Sequence, residues 1–342
     1  LPPDAEELTD TFRNLVVGAP LDIALDRVRR QVGERRFALG VQLIAAHRDP
    51  ITIAEAYSDL AEAAVVTLAE ATEREFAATH GEIDGELIIL ALGRLGGRAL
   101  TNASDLDLIL LFDAPLDARS DGRKPLSATD YYNRLGSRIV TALSVPTAVG
   151  PLYVVDTRLR PQGSQGMLAV SLDAFDAYQR HEAWTWEHMA LCRARPLTGS
   201  AETRAKVADA VRSILSVKRD AAKVRADAAS MRLEMARHKP PSGPFDIKLG
   251  PGGLVDLEFA VHTLQLTTGL GLDPRLEVAI ASLHEAGLLD EQVDPDLRLL
   301  SRILVTLRLV APGCMEPAPQ SWTLVASLCG HDSWNALMAA AD

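Results

Sequence analysis

The chain has 342 residues, a formal net charge of −11 at pH 7 and a hydrophobic content of 47%. This length predicts two or three domains, and the hydrophobic content is sufficient for buried cores. An acidic chain without a block of lysines and arginines is not expected to bind nucleic acid, because such proteins displace counterions from phosphates with clustered basic residues. Its apolar runs fall short of the roughly 20 residues of a membrane-spanning helix, so no membrane partner is expected.

The cysteines and the two ends of the chain bear on its location. Cys192, Cys314 and Cys329 are too scattered for a disulfide framework or a zinc site, which favours a reducing cytoplasm. The opening stretch, LPPDAEELTD, is acidic and does not resemble a signal peptide. The last residues, WNALMAAAD, continue a helical pattern. We therefore expect a cytoplasmic protein of which this chain is a fragment.

The first half of the chain predicts helices followed by strands. Residues 1–80 carry apolar residues at three- and four-residue intervals, and the second long helical run ends at Gly81. Two short apolar runs, GELIILALG and DLDLILLFD, predict buried strands. Ser127, with Asp130 three residues later, predicts the start of a helix. The run GPLYVVDTRLRP predicts a third strand that Pro161 ends.

The second half is predicted to be helical. Ser171 caps one long predicted helix, SLDAFDAYQRHEAWTWEHMALCRAR, and a second, charged and largely solvated, covers 203–239 until KPPSGP breaks it. The stretch FDIKLGPGGLVDLEFAVHTLQLTTG predicts a short segment, a glycine turn and a helix. Two further helices are each expected to open with Asp-Pro as cap and first helical residue, in DPRLEVAI and DPDLRLLS.

These elements predict an α+β fold that is predominantly helical. A small α/β module over residues 81–200 is expected between an N-terminal helical segment, 1–80, and a C-terminal helical bundle, 201–342, that continues past the end of the chain.

Carboxylates on the second and third predicted strands carry the chemistry. Asp105 and Asp107 alternate along one strand and therefore point to the same face. If Asp156 lies on a neighbouring strand, three carboxylates converge, and such a cluster needs cations. Hard oxygen ligands select Mg²⁺ or Mn²⁺, and two such ions can clamp an in-line phosphoryl displacement.

The neighbouring residues are suited to phosphate. Gly93, Gly96 and Gly97 lie in the loop before the carboxylates and are expected to bring free backbone N–H groups close to phosphate oxygens. Arg158 and Arg160 are predicted to share a strand face with Asp156, where they would grip a triphosphate.

Three stretches carry a resemblance to a known family. They are LGRLGGRALTNASDLDLILLFD, YVVDTRLRPQGSQGMLAVSLDAFDAYQRHEAWTWEHMALCRARP and FDIKLGPGGLVDLEF. They resemble glutamine synthetase adenylyltransferases, within the DNA polymerase β-like nucleotidyltransferase superfamily, from about Leu87 to Phe259. The resemblance implies a polymerase β-like mixed sheet, ATP as substrate, glutamine synthetase as protein substrate, and the PII signal protein as partner of the full-length enzyme.

The resemblance also implies which residues act. Asp105, Asp107 and Asp156 would be catalytic and bind metal. Contacts to the nucleotide are implied for Gly93, Arg94, Gly96, Gly97, Ser104, Arg158, Arg160 and Lys248. One departure is that Gly93-Arg94 stands where the superfamily has a Gly-Gly or Gly-Ser pair. Asp256 and Glu258 are either capping and surface residues or lie, together with Asp246 and Lys248, at the edge of the active site.

The family has two halves, one adding AMP to the synthetase and the other removing it by phosphorolysis. The run HEAWTWEHMAL resembles the adding half. The removing half is an alternative, as is a non-catalytic module that senses a nucleotide or partner on the same core. A nucleic-acid polymerase is a further alternative, which the acidic balance disfavours.

The histidines and the arginines of this predicted helix can each be interpreted as structural or as functional residues. His181 and His188 do not form a zinc motif, because Thr185 replaces the second histidine of H-E-x-x-H. Trp184 and Trp186 are therefore expected to pack the helix, and Glu187 and His188 to make structural contacts. Arg193 and Arg195 either form a solvated helix end or reach the nucleotide.

Overall fold

The structure is a computed structural model that describes residues 3–341; residues 1, 2 and 342, at the ends of the predicted N- and C-terminal segments, lie outside it. Helices predominate around a small mixed sheet, which confirms the predicted fold class. The first seven helices are α1 (Ala5–Val16), α2 (Leu21–Ile44), α3 (Pro50–His80), the single-turn α4 (Gly93–Gly96), α5 (Ala128–Ser144), α6 (Leu172–His181) and α7 (Thr185–Leu191).

The remaining helices follow the sheet in sequence. They are α8 (Ala201–Leu215), α9 (Ala221–His238), α10 (Leu254–Thr268), α11 (Leu276–Glu285), α12 (Val293–Val310), α13 (Trp322–Leu328) and α14 (Trp334–Ala341). The strands are β1 (Glu86–Ala91), β2 (Leu106–Asp113), β3 (Val155–Asp156), β4 (Ala169–Ser171) and β5 (Arg195–Pro196). Among residues 3–341, no helix is both long enough and apolar enough to cross a membrane.

Local signals in the sequence explain several helix ends. Asp49 caps α3 by accepting a hydrogen bond from the N–H of Ile51, and Pro50 occupies the first helical position. Gly81 ends the same helix with a φ of +78°, as predicted. Ser127 caps α5 by accepting from the N–H of Asp130, so this predicted helix start is confirmed.

The sheet has strand order β3-β2-β1-β5, and β4 also pairs with β2. Strand β2 runs antiparallel to β1 and parallel to β3 and β4. The central strands are apolar over 87–91 and 108–112 because both faces of the sheet are buried there. On one face Ile89, Leu108 and Leu110 pack against the N-terminal helices, and on the other Ile88 and Leu111 pack against α6 to α9.

Two further clusters build the C-terminal part. One joins α10, α11 and α12, and the other joins α12, α13 and α14. Helix α12 also packs on α3, with Val305 in the N-terminal core. The C-terminal helices therefore contact both the sheet module and the N-terminal helices.

The third strand is shorter than predicted. It contains only Val155 and Asp156, and the chain then turns, with a hydrogen bond from the N–H of Arg160 to the carbonyl of Thr157 at 3.3 Å. Arg158 and Arg160 are therefore not on a strand face. The turn forms because the side chain of Asp156 accepts from the N–H of Arg158 at 2.8 Å, which is the local hydrogen bonding typical of aspartate in turns.

Both long predicted helices of the second half are interrupted. The run capped by Ser171 breaks after α6, because the carboxylate of Glu187 accepts from the N–H of Trp184 at 2.8 Å and starts α7. The charged run 203–239 breaks after α8, and Asp220 caps α9. Periodicity alone did not reveal either break, because apolar spacing continues through both.

The two Asp-Pro predictions are wrong in detail. Helix α11 begins at Leu276, because Asp273 instead accepts from the N–H of Arg275 in the preceding turn. Helix α12 begins at Val293, one residue before Asp294, so the Asp-Pro pair lies inside its first turn.

Candidate functional site

Three carboxylates meet where β2 and β3 lie side by side. Asp107 of β2 is paired in register with Asp156 of β3, and Asp105 directly precedes β2. One oxygen from each of the three side chains lies within 4.8 Å of the other two. The structure thus brings together the three aspartates that sequence spacing selected.

Burial, neighbouring charges and hydrogen bonds shift the pKa values of two of these carboxylates. Burial, together with the charges of Asp105 and Asp156, raises the pKa of Asp107 to about 6. Hydrogen bonds from the Arg158 guanidinium lower the pKa of Asp156 instead. Nε of Arg158 lies 2.9 Å from Oδ2 and 3.0 Å from Oδ1 of Asp156. One arginine therefore offsets one of the three negative charges.

The donor set fits a divalent cation. All three ligands offer the hard carboxylate oxygens that Mg²⁺ and Mn²⁺ prefer, and the mutual repulsion at Asp107 is what a bound cation would relieve. Asp105 is exposed, so water or phosphate oxygens can complete the coordination from the solvent side. Asp105, Asp107 and Asp156 would hold the ion.

Gly93 brings the glycine turn directly against the carboxylates. It starts α4 with a φ of +53°, and a Cβ at this position would lie 2.2 Å from Oδ2 of Asp107. The N–H of Leu92 donates to the carbonyl oxygen of Asp107 at 2.9 Å. Only glycine permits this approach, because any side chain would collide with the carboxylate.

Gly96 and Gly97 have a different role from the one expected. Their N–H groups donate to the carbonyls of Leu92 and Gly93 within the turn, at 2.9 and 3.1 Å. Both N–H groups are therefore engaged within the turn, and a contact of these two glycines with phosphate stays a prediction. A Cβ on Gly96 would lie 1.8 Å from the carbonyl oxygen of Arg193, and one on Gly97 would lie 2.4 Å from its Nη2. The two glycines make room for Arg193.

Arg193 and Arg195 do not form a solvated helix end. The Arg193 side chain is 6% exposed, and its Nη1 donates to Oε1 of Glu258 at 2.6 Å. Nη1 of Arg195 lies 2.7 Å from Oε2 of Glu62, and its Nε donates to the carbonyl of Gly96. Both arginines hold the glycine turn from behind, Arg193 with a partner on α10.

Further basic groups lie around the same carboxylate, Glu258. Burial lowers the pKa of Lys248, although the charges of Glu258, Asp105 and Asp107 oppose this shift. Burial and the charge of Arg193 lower the pKa of Arg94 to about 10. For Glu258, burial favours the neutral form, but the Arg193 and Arg94 charges prevail and lower its pKa. Glu258 is thus the ionised centre of a largely basic group.

The other predicted nucleotide residues are placed as follows. Nη1 of Arg160 donates to the carbonyl of Thr157 at 2.8 Å, inside its own turn. The hydroxyl of Ser104 accepts from the N–H of Thr101 at 2.9 Å. Arg158, with a side chain 71% exposed, lies next to the carboxylates and pairs with Asp156.

Asp246 and Asp256 organise the segment that carries Lys248. The buried carboxylate of Asp246 accepts from the N–H groups of Ser242 and Leu249, at 3.0 and 3.1 Å. Asp256 accepts from the N–H of Gly252 at 2.8 Å and pairs with Arg232. The capping interpretation therefore fits these two aspartates, whereas Glu258 belongs to the basic group.

A small cavity of about 190 Å³ lies beside Gly93, and sequence reasoning missed it. Its apolar lining comes from Leu159, Trp186, Met189, Met231, Met235 and Phe259. Met231 and Met235 are four residues apart on α9 and therefore share one helix face. This spacing was the one available signal, because the assembly of the wall depends on helices that are distant in sequence.

The predicted structural contacts of His188 and Glu187 are confirmed, but the prediction for Trp184 is wrong. A ring nitrogen of His188 lies 2.8 Å from the carbonyl of Gln179, and Glu187 accepts from the hydroxyl of Tyr178, so both make structural contacts as expected. The expectation that Trp184 packs the helix is wrong, because it lies at the break between α6 and α7 and is 70% exposed.

Strand-borne carboxylates beside a glycine turn form the type of site expected for the nucleotidyltransferase class that the sequence resembles. The family model for glutamate-ammonia ligase adenylyltransferase matches residues 3–210. This match covers more than half of the chain, and the chain belongs to that family. Residues 222–310 match the family model for the GlnD PII-uridylyltransferase.

Curated relatives agree with this membership. The bifunctional glutamine synthetase adenylyltransferase/adenylyl-removing enzyme of Mesorhizobium japonicum is 48% identical over 253 residues, which cover 73% of this chain and 26% of that protein. The enzymes of the same name from Agrobacterium fabrum and Xanthobacter autotrophicus are 40% and 37% identical, over 89% and 95% of this chain and 32% and 34% of theirs. The chain thus spans between a quarter and about a third of these relatives.

Proposed function

We propose that this chain transfers AMP from ATP to a tyrosine hydroxyl of glutamine synthetase, releases pyrophosphate, and so down-regulates the synthetase in nitrogen control. The observation that carries the proposal is the convergence of Asp105, Asp107 and Asp156 within 4.8 Å beside the Gly93 turn. Family membership supports the choice of reaction, and the names of the relatives support the choice of protein substrate.

The three aspartates would hold Mg²⁺ or Mn²⁺, which when bound supplies Lewis acidity toward the phosphates and the attacking oxygen. The chain itself supplies positive charge for the nucleotide. Lys248 lies close enough to Asp105 and Asp107 to feel their charges, and Arg158 is next to Asp156. Both can meet phosphate oxygens that approach the carboxylates.

The attacking hydroxyl must lose a proton, because free tyrosine has a pKa of about 10. Asp156 is proposed to accept this proton at a carboxylate oxygen. Its hydrogen bonds from Arg158 make it a weak base in the nucleotide-free protein. Transfer of Arg158 from Asp156 to a phosphate would remove that restraint and raise the basicity of the carboxylate when ATP is bound.

The adenine ring has a candidate place in the cavity beside Gly93. Its apolar walls, with Trp186 and two methionines, suit a flat heteroaromatic ring, and the cavity adjoins the turn that faces Asp107. We propose this cavity as the base pocket.

The direction of transfer and the partners are part of the same proposal. The resemblance of HEAWTWEHMAL to the adding half supports AMP addition over removal. Residues 222–310 match a family described by its action on PII, which supports PII as a partner of the full-length protein. The three cysteines are free thiols, which supports a cytoplasmic location.

The decisive experiment mixes the chain with unmodified glutamine synthetase, Mg²⁺ and ATP labelled at the α-phosphate. Label on the synthetase and stoichiometric pyrophosphate are expected, and omission of Mg²⁺ should abolish both. If the chain instead made ADP from AMP-modified synthetase and phosphate, with no forward transfer, it would belong to the removing half. ATP binding without transfer in either direction would favour a sensing module.

A further inference from the structure

A second cavity lies on the other side of the glycine turn from the carboxylates; we call it the rear cavity. Its volume is about 230 Å³, and its walls come from α3, the glycine turn, α10, α11 and α12. Arg94, Gly97 and Arg193 form the wall on the turn side, and Ser301 of α12 lies in another wall. Asp105, Asp107 and Asp156 do not line it.

Two guanidinium groups in this cavity lack partners for part of their hydrogen-bonding capacity. Nε of Arg94 and Nε of Arg193 are both buried, and neither has a hydrogen-bond partner among residues 3–341. Arg193 as a whole is 5% exposed. A buried donor without an acceptor is costly, and a charged one more so.

Charge around these two arginines is not balanced. Among residues 3–341, Glu258 is the one carboxylate that pairs with Arg193, and its charge also acts on Arg94. The other two arginines of the lining are paired elsewhere, Arg98 with Asp59 and Arg298 with Asp294. Two acids, Glu55 and Glu277, also line the cavity, and Glu55 is exposed. They would repel a large polyanion but leave room for one small anionic group.

We propose that the rear cavity binds a small anion, through a single carboxylate or phosphate group held between Arg94 and Arg193. A guanidinium presents a planar set of donors that matches either group. The anion supplies acceptors for N–H groups of the two guanidinium groups and balances the second positive charge. This site does not include the three aspartates, although Arg193 and Glu258 also line the cavity beside Gly93.

Occupancy would act on the carboxylate side through the turn. Arg94 directly follows Gly93, which abuts Asp107, and Arg193 packs on Gly97. An anion that fixes both guanidinium groups therefore fixes the turn from behind. Anion binding and cation binding are then expected to favour one another.

The test measures binding without metal or ATP, so that it does not depend on adenylyl transfer. Inorganic phosphate and, separately, acetate are titrated into the chain by calorimetry in EDTA, with ionic strength held constant by NaCl. Saturable binding of one equivalent is expected for at least one of them, and the arm that binds tighter identifies the group. Arg94→Gln should weaken that binding at least tenfold. No saturable binding of either anion would overturn the proposal.

A matched pair of variants locates the site. Ser301→Phe fills the rear cavity and leaves every arginine in place, so it should abolish anion binding, whereas Ser301→Ala should preserve it. ATP binding with Mg²⁺ should survive in Ser301→Phe. If that variant bound phosphate normally, or if ATP displaced the phosphate one for one, the anion would lie at the nucleotide site and the proposal would be wrong. Should Ser301→Phe fail to fold by circular dichroism, Arg193→Gln serves as the second test, with the same loss of anion binding expected.

Discussion

Local spacing was sufficient for the aspartates but not for the arginines near them. Alternation along a strand placed Asp105 and Asp107 on one face, since this follows from backbone geometry alone. The side chain of Asp156 captures the N–H of Arg158, which turns the chain and removes both arginines from the strand. The sequence pattern did not predict this turn. A single side-chain hydrogen bond favours the turn over a longer strand at this point, and apolar alternation does not reveal such a bond. The pairing of Arg193 with Glu258 spans 65 residues and has no local signature.

Asp107→Asn separates stability from catalysis. The change is nearly isosteric and removes one of three crowded charges, so we expect an unchanged fold and an equal or higher melting temperature in EDTA. Loss of a metal ligand should lower AMP transfer by about a thousandfold or more. Melting by circular dichroism and transfer of labelled AMP measure the two effects. Near-wild-type turnover would remove Asp107 from the site.

Arg158→Gln tests whether Arg158 competes with the cation for Asp156. Without ATP the variant should bind Mn²⁺ more tightly, but only slightly, because the ion pair that competes with the cation for Asp156 is exposed. With ATP the sign should reverse, and KM for ATP should rise, because a phosphate contact is lost. Mn²⁺ titration by electron paramagnetic resonance and steady-state kinetics report the two values. Unchanged Mn²⁺ affinity without ATP would mean that the ion pair does not oppose metal binding.

Among the elements, types were predictable and lengths were not. The end of helix α3 was predicted correctly, because Gly81 marks it chemically. The breaks after α6 and α8 were missed, since Glu187 and Asp220 act as caps only where the chain already turns. Apolar periodicity passes through such breaks and therefore overestimates helix length.

Helix α10 contains a buried histidine, His262, whose protonation should make the free energy of unfolding depend on pH. Burial lowers the pKa of His262 to about 4, and its Nδ1 lies 2.7 Å from Oε1 of Gln265. An unfolded histidine titrates near 6.5 and therefore takes up its proton first as pH falls. Stability should thus be full above pH 6.5 and be lost as pH falls toward 4, by about 2 kcal/mol from this group between pH 7 and pH 5.

The control is His262→Gln, which retains a hydrogen-bonding side chain but cannot titrate. Urea unfolding gives the free energy of unfolding of both proteins at pH 7 and pH 5. The change between the two pH values is then compared between the proteins, so any pH-independent effect of the substitution cancels. The wild type should lose about 2 kcal/mol more than the variant over this interval. Equal losses would place the His262 pKa near its ordinary value.

For the whole molecule, the sequence predicted the sheet and the helices on either side of it, but not the contacts between these parts. The strands and the flanking helices follow from the order of apolar patterns in the sequence, whereas the mixed topology of the sheet was implied only by the family resemblance. Which C-terminal residue reaches the glycine turn depends on how α10 packs against α7 and α12, and that packing is decided by shape rather than by local pattern. The three predicted segments share cores with one another, and their division stays a prediction.

Glu258→Gln tests the link between the C-terminal helices and the turn. The substitution leaves two buried guanidinium groups without their carboxylate, so we expect a loss of about 3 kcal/mol, the scale for breaking a buried pair. Asp294→Asn is the matched control, because its pair with Arg298 is 39% and 51% exposed and should contribute less than about 1 kcal/mol. Urea unfolding measures both.

A double-mutant cycle with Arg193→Gln then isolates the pair. Coupling of about 1 kcal/mol or more between positions 193 and 258 is expected for groups in direct contact. If the losses in the free energy of unfolding were additive, Glu258 would stabilise a group other than Arg193. KM for ATP in the single variants would then show whether Glu258 supports the nucleotide side of the glycine turn.

The distance along the chain between the parts of the site has a consequence for synthesis. Asp105 and Asp107 emerge from the ribosome about fifty residues before Asp156, and Lys248 and Glu258 follow about ninety residues later still. At about 5–20 residues per second, the aspartates wait several seconds or more for their basic partners. A nascent chain that ends near residue 200 therefore has acidic ligands but lacks Lys248 and the carboxylate that orders Arg193. Such a chain should bind Mn²⁺ before it can hold ATP, so nucleotide binding would mark the completion of folding.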